Sequence, residues 1–337
     1  MAKDDAHTNG SFTLPFEKPI AKLAREIEEI EASQTQSGRD FAAEVRQLRG
    51  QLVNLVKKTY STLTPWETVQ VARHPRRPLA GDYLEAIAKD FVELHGDRLF
   101  GDDASTRCGL GRIGPEKVAI IAQHKGRDTK EKIACNFGCA LPEGYRKAMR
   151  VMKLAEKYHL PVVSLIDTPG AFPGVESEER GVAEAIARNL MGMSRLRTPI
   201  ISIVIGEGGS GGALGIGVAD RISMLEFAYY SVISPEGCAA ILWKSGAQAQ
   251  EAAEALKLTS RQLKELDVID AIIPEPLGGA HRNPSEACNN VERFITRTLR
   301  ELSRVSLDAL LEHRYARWRR MGRVERLTKG DSAAAAG

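Results

Sequence analysis

Apolar positions along this chain follow two rhythms, helical near the start and strand-like from the middle onward. Ile20, Leu23, Ile27 and Ile30 recur three or four apart, and so do Phe41, Val45, Leu48, Leu52 and Leu55, with Val56 beside them. That spacing lays apolar side chains along one helical stripe. A polar stretch containing Gly38, residues 33–39, separates the two runs. The pattern predicts an antiparallel helical hairpin whose stripe must pack on something, for which another subunit is one candidate. Thr64-Pro65-Trp66-Glu67 reads as a helix start, with Pro first and Glu third. A basic break follows from Arg73 to Pro78, and a helix is expected from about Asp82 to Leu94.

From Cys108 the rhythm changes. Residues 108–113 and 118–123 predict two strands of a hairpin joined by Gly114-Pro115-Glu116-Lys117. A polar, mostly basic loop runs over 124–132. A helix is predicted over 142–158, a buried strand over 162–166 and an amphipathic helix over 178–194. The β-branched run 200–205 predicts a buried strand, followed by a glycine loop over 206–212 and a helix opening at Ala213. Short strands over 221–225 and 230–233 come next. Ser234-Pro235-Glu236 caps a helix to Trp243, with further helices over 247–256 and 260–266. A last strand over 268–273 precedes a long helix from Pro284. Strands and helices in this alternation argue for a layered α/β domain.

Composition adds bounds. At 337 residues, 43% hydrophobic and 27% charged, the chain has room for one large or two small globular domains. The net charge of +3 says little about partners. The arginines are less even. Arg293, Arg297, Arg300, Arg304, Arg314, Arg317, Arg319, Arg320, Arg323 and Arg326 crowd the end, as a phosphate- or partner-binding surface or as a solvated helix face. No apolar run suits a bilayer span and no signal-peptide core opens the chain, so a cytoplasmic protein without membrane contact is expected. The five cysteines, Cys108, Cys135, Cys139, Cys238 and Cys288, lack zinc-ribbon spacing, which points to free thiols and no metal in this chain.

The candidate chemistry centres on Gly206-Glu207-Gly208-Gly209-Ser210-Gly211-Gly212. Glycine lets a ligand approach the main chain closely, and the first N–H groups of a helix point outward without partners. Such a loop suits an anion or a developing oxyanion. Three patterns overlap on it. G-x-G-x-x-G, with Glu226 at the distance of a ribose-binding acid, suggests a dinucleotide, but residues 211–218 make a short crossover. G-x-S-x-G suggests an esterase with Ser210 as nucleophile, followed by Asp267 or Asp270 and His281. The absence of Lys-Ser or Lys-Thr after the glycines excludes a P-loop. Asp167-Thr168-Pro169-Gly170 resembles the aspartate loop of a GTPase; without a P-loop, it either walls the same site or stabilises its own turn.

Longer strings then carry a resemblance. They are His124-Lys125-Gly126-Arg127-Asp128-Thr129-Lys130-Glu131, Pro142-Glu143-Gly144-Tyr145-Arg146-Lys147-Ala148 and Ile166-Asp167-Thr168-Pro169-Gly170-Ala171-Phe172-Pro173-Gly174. Glu178-Glu179-Arg180-Gly181, residues 206–217, residues 230–239 and residues 272–282 belong with them. Together, from about Phe16 into the C-terminal helix, they resemble the alpha subunit of the carboxyltransferase component of bacterial-type, multi-subunit acetyl-CoA carboxylase.

The resemblance implies a crotonase-like spiral of ββα units with an N-terminal helical hairpin and a long C-terminal helix. In that frame, residues 1–15 are a disordered extension and 16–95 a partner-packing helical region. Residues 96–315 form the carboxyltransferase domain, and 316–337 a basic, then low-complexity, tail. The implied reaction moves a carboxyl group from carboxybiotin to acetyl-CoA, giving malonyl-CoA for fatty acid synthesis. Implied partners are a beta subunit bearing a zinc ribbon, a biotin carboxyl carrier protein and an ATP-using biotin carboxylase, with an α2β2 carboxyltransferase. Gly211 and Gly212 are implied as main-chain donors to the ureido oxygen of biotin, with Gly208, Gly209, Gly170 and Ala171 shaping the biotin site. Gly212→Val is expected to stop turnover while leaving folding and partner binding intact. Lys125, Arg127 and Lys130 fix their loop or contact a coenzyme A phosphate. The chain departs from the family pattern at Ala134-Cys135, Cys139 and Phe172. Rivals are a stand-alone crotonase-type hydratase or esterase, and a non-catalytic scaffold or nucleic-acid binder built on the hairpin and basic tail.

Overall fold

The computed structural model describes residues 12–37 and 40–322. The two N-terminal apolar stripes become the helices Lys18–Ser37 and Ala42–Ser61, folded back on each other. Ile20, Val56 and Tyr60 are buried with Leu14, Val71 and Phe227 in one cluster, so the hairpin docks on its own chain. Leu14 is only 4% exposed and residues Pro15–Glu17 form a turn of 3-10 helix, so the end of the extension expected to be disordered over 1–15 is packed into the fold. The rest of the N-terminal extension (1–11) and the end of the tail from 323, with Arg323 and Arg326, lie outside the described residues.

A mixed eight-stranded sheet carries the domain. Its strands are β1 (Ala88–Glu93), β2 (Thr106–Ile113), β3 (Glu116–Gln123), β4 (Val162–Thr168), β5 (Ile200–Gly209), β6 (Arg221–Leu225), β7 (Tyr229–Ser231) and β8 (Ala271–Ile273). The order is β1-β2-β3-β4-β5-β6-β8, with β7 alongside the far end of β5. β1 to β3 pair antiparallel, and from β3 onward the pairing is parallel. Every residue of β4 and β5 is buried. This is why both read as continuous apolar runs and not as alternation. The helices Pro142–Lys157 and Val182–Arg195 make the crossovers on either side of β4.

The helix expected over 82–94 ends early. Ala80–Ile87 is helical, and the chain then becomes edge strand β1. The cause lies on β2: a Cβ at Gly109 would stand 2.3 Å from the Val92 carbonyl and 2.6 Å from the Phe91 ring. Glycine there admits a strand that local sequence does not announce. The strand expected over 200–205 runs on through Gly209, because Gly208 pairs with both Thr168 and Tyr230. The helix after it starts at Ser210 and lasts only to Leu214. The helix expected over 178–194 breaks at Gly181, whose φ of +75° needs glycine, into Val175–Glu179 and Val182–Arg195. The long C-terminal helix is two, Pro284–Leu302 and Leu307–Arg320, the second capped by Ser306.

Candidate active site

The ends of β4 and β5 lie side by side, and each turns away through glycine. Their backbones touch. A Cβ on Gly209 would fall 2.1 Å from the Pro169 carbonyl oxygen, and one on Gly212 would fall 2.4 Å from the Gly170 carbonyl carbon and 2.6 Å from the Ala171 nitrogen. Gly206 leaves room for the Asp167 carboxylate, 2.6 Å from where a Cβ would sit. Glycine is therefore required at these positions by close approach. Gly211 is different: the nearest atom to a Cβ there is Ile186 Cδ1 at 3.6 Å. Gly211 also lines a groove of about 330 Å³ with Ser210, Leu214, Tyr230, Ser231 and Val232.

The structure thus brings together Gly170, Ala171, Gly208, Gly209, Gly211 and Gly212. It also corrects the expectation for Gly212: bulk there drives into the neighbouring loop, so folding would not be left intact.

Beneath the two turns sits an ion network. The Lys125 ammonium lies 2.7 Å from Asp167 Oδ1 and 2.5 Å from Glu207 Oε1. Asp167 Oδ1 also accepts the Glu207 N–H at 2.9 Å. Arg73 reaches the other oxygen of Glu207 at 2.7 Å and pairs with Glu236 at 2.5 Å. The Tyr229 hydroxyl donates to Glu207 as well. Burial alone would raise the Glu207 carboxyl, but Lys125 and Arg73 hold it down to about 2. Burial would lower Lys125, yet Asp167 and Glu207 raise it. Lys125 is therefore a charged tie between the β4 and β5 turns. Arg127 pairs with Asp82, and Lys130 is exposed with no ion pair among the described residues.

Arg73, Glu207, Tyr229 and Glu236 escaped the sequence reading as a set. One signal was available: Glu207 is a lone charge inside an otherwise apolar and glycine run, which a buried strand tolerates only with partners.

The rival chemistries are not assembled. His281 stacks on His74 with ring centroids 3.9 Å apart, and Asp270 accepts the Ile222 N–H at 2.7 Å. No hydrogen bond among the described residues joins Ser210 to either. Glu226 faces Arg261 and the Glu275 N–H, and no long crossover helix follows β5. Glu17, His74 and His281 form the group nearest in type to a metal site. However, Glu17 Oε1 already accepts from Tyr60 at 2.8 Å and Arg282 at 2.6 Å, and stacked imidazoles cannot both aim in-plane at one ion. The five cysteines are all free thiols. No described helix is long and apolar enough to cross a membrane.

Residues 13–322 match the family described as acetyl co-enzyme A carboxylase carboxyltransferase-like. The acetyl-coenzyme A carboxylase carboxyl transferase subunit alpha of Thioalkalivibrio sulfidiphilus is 54% identical over 304 residues, 90% of this chain and 95% of that protein. The subunit of the same name from Burkholderia multivorans is 53% identical over 317 residues, 94% of this chain and 98% of that protein. Among solved structures, transcarboxylase 12S superposes with a TM-score of 0.55 at 18% identity over 75% of this chain, which spans 44% of that longer one. A Pseudomonas malonate decarboxylase hetero-tetramer in complex with coenzyme A superposes with a TM-score of 0.56 at 16% identity, covering 77% of this chain and 96% of that one. At such identities these two likenesses are of fold, and the fold is crotonase-like.

Proposed function

The chain belongs to the acetyl-CoA carboxylase carboxyltransferase-like family, and from that premise we propose that its paired glycine turns form the biotin side of an active site shared with a beta subunit. As an alpha subunit of an acetyl-CoA carboxylase carboxyl transferase, it serves carboxyl transfer to acetyl-CoA. The observation that supports the site assignment is the contrast between Gly212, which leaves no room for a Cβ against Gly170 and Ala171, and Gly211, which tolerates one and lines the groove.

Biotin on its carrier, when bound here, supplies the carboxyl group and a ureido oxygen that gathers negative charge. Gly211 and Gly212 present main-chain N–H groups in a first helical turn, where such groups have no partner within the helix. A groove lined by Leu214, Tyr230 and Val232, with the Ser210 and Ser231 hydroxyls, suits a small neutral ring. Gly170 and Ala171 back the turn. Lys125, Asp167 and Glu207 hold the two turns in register without touching the reacting atoms. Loss of one oxyanion donor typically costs on the order of 100-fold in rate.

The donors for acetyl-CoA come from the beta subunit, whose zinc ribbon, α2β2 assembly and cytoplasmic setting with carrier and biotin carboxylase belong to the same reading. The test is the reverse reaction, acetyl-CoA formation from malonyl-CoA and a free biotin derivative. Activity only when both chains are present supports a shared site. Equal activity by this chain alone overturns it.

A further inference from the structure

The helix Ser210–Leu214 is a single turn, too short to hold its own direction. The carbonyls from Gly211 to Leu214 are nevertheless all accounted for. Gly211 O accepts the Gly215 N–H at 2.8 Å, Ala213 O the Ile216 N–H at 3.3 Å and Leu214 O the Gly217 N–H at 2.9 Å. This ladder passes over Gly212 and Gly215. Their carbonyls are taken by two buried carboxamides from elsewhere in the fold. Gln123 Nε2, at the end of β3, donates to Gly212 O at 2.8 Å. Asn189 Nδ2, on the helix Val182–Arg195, donates to Gly215 O at 3.0 Å and to Tyr145 O at 3.0 Å. Gln123 is fully buried and Asn189 is 1% exposed. The Gln123 oxygen is used too, accepting the Asp167 N–H at 3.3 Å, so one amide ties the β4 turn to the β5 turn.

We propose that Gln123 and Asn189 are positioning residues for carboxyl transfer: Gln123 holds the peptide plane that follows Gly212, and Asn189 holds Gly215, whose N–H in turn bonds the Gly211 carbonyl on the plane of the Gly212 N–H. The inference rests on the assignment of the Gly211 and Gly212 N–H groups as donors. A peptide is planar, so a held carbonyl fixes the N–H on the same plane in the opposite direction. The Gly212 N–H shares its plane with the Gly211 carbonyl, which is held by Gly215. Asn189 in turn holds the Gly215 residue through its carbonyl. The plane on the other side of Gly212 carries its own carbonyl, held by Gln123. Glycine has no Cβ to limit rotation, so these bonds add to the packing against Gly170 and Ala171 in fixing the two planes. A misaimed donor loses rate without losing the binding surface for coenzyme A, since misplacement by an ångström costs roughly 100-fold.

The experiment uses the complex of this chain with its beta subunit, in the malonyl-CoA to acetyl-CoA direction, with Gln123→Leu, Asn189→Leu and Gly211→Val. The two Leu variants are expected to lose about 10-fold or more in kcat per assembled complex. The KM for malonyl-CoA should stay within about twofold, because that substrate's binding surface is untouched. Faster amide exchange over residues 206–217 accompanies the loss. Gln123→Met keeps nearly the same volume without a donor to Gly212, so it replaces Gln123→Leu if the latter does not fold. Wild-type kcat, a loss matching only a reduced folded fraction, or a change confined to KM overturns the positioning role. If Gly211→Val retains full turnover, the donor assignment itself fails. If Gly211→Val is inactive while both amide variants turn over normally, only the positioning role fails.

Discussion

Arg77 and Glu275, 198 positions apart, form a two-pronged ion pair with bonds of 2.9 and 2.6 Å, their side chains 3% and 0% exposed. Arg77 also donates to Ile205 O at 2.9 Å, inside β5, while Glu275 accepts the N–H of Phe227 at 2.9 Å and of Ala280 at 2.7 Å. One pair thus joins the basic break after the N-terminal helices to the central strand and to the segment after β8. Removing one partner leaves the other charge buried and alone. Glu275→Ala should cost about 3–5 kcal/mol of stability, read from the shift in the chemical-unfolding midpoint. A loss below about 1 kcal/mol, the value of an exposed pair, would show that the pair is not desolvated as described.

Gly211 and Gly212 should separate by substitution with alanine. At Gly212 the new methyl meets backbone at 2.4 Å, and neither turn can yield without breaking the contact between β4 and β5. Gly212→Ala is expected to lower thermal stability and activity together. At Gly211 the methyl makes one ordinary side-chain contact at 3.6 Å, so Gly211→Ala should fold and assemble as the wild type does while turnover falls. Thermal unfolding and the reverse reaction on the same preparations check this. Equal melting temperatures for the two variants would count against the packing described.

The pH dependence of stability should carry the signature of Glu207. Its carboxyl is held near 2 in the fold, below the ordinary 4.5. A carboxyl lowered by folding contributes stability that is complete above its unfolded value and is lost as pH falls toward its folded value. The stability gap between wild type and Glu207→Gln should therefore be widest above about pH 4.5 and narrow as pH drops toward 2. Urea unfolding at a series of pH values measures it. A constant gap would mean that Lys125 and Arg73 do not act on this group as charges.

Arg314 is the clearest case in which tertiary structure overrules composition. It stands among ten arginines that read equally well as a binding surface or a solvated face. Its side chain is 0% exposed, bonded to both oxygens of Asp220 at 2.8 and 2.7 Å and to the carbonyls of Met193, Leu196 and Thr198. Arg314→Met should destabilise by about 3–5 kcal/mol, because it leaves Asp220 buried without its cation. Arg319→Met, on the exposed side of the same helix, should change stability by no more than about 0.5 kcal/mol. Paired unfolding curves decide between them.

Elements whose signal is local were legible in the chain. The Thr64–Glu67 capping box and the Ser234 cap formed where their residues predicted, and the β2–β3 hairpin and the two N-terminal helices formed with shifted ends: β3 starts already at Glu116, and the first helix runs through Ser37. Each depends on neighbours a few positions away, and sequence displays those directly. The glycine run also announced a place of close backbone approach, and the long matching strings tied it to one family.

What the sequence alone determined is thus the alternation of strands and helices, the family and the identity of the glycines. Only the tertiary structure decided that β1 is a strand, since Gly109 makes room for it from another part of the chain. Only the fold could show which glycine is packed and which is open, because a missing Cβ looks the same at Gly211 and Gly212 until Gly170 and Ala171 are in place. The same holds for Lys125, Glu207, Gln123 and Asn189. Their partners are brought to them by the sheet, and a charge or an amide in sequence carries no label for the distant atom that will satisfy it.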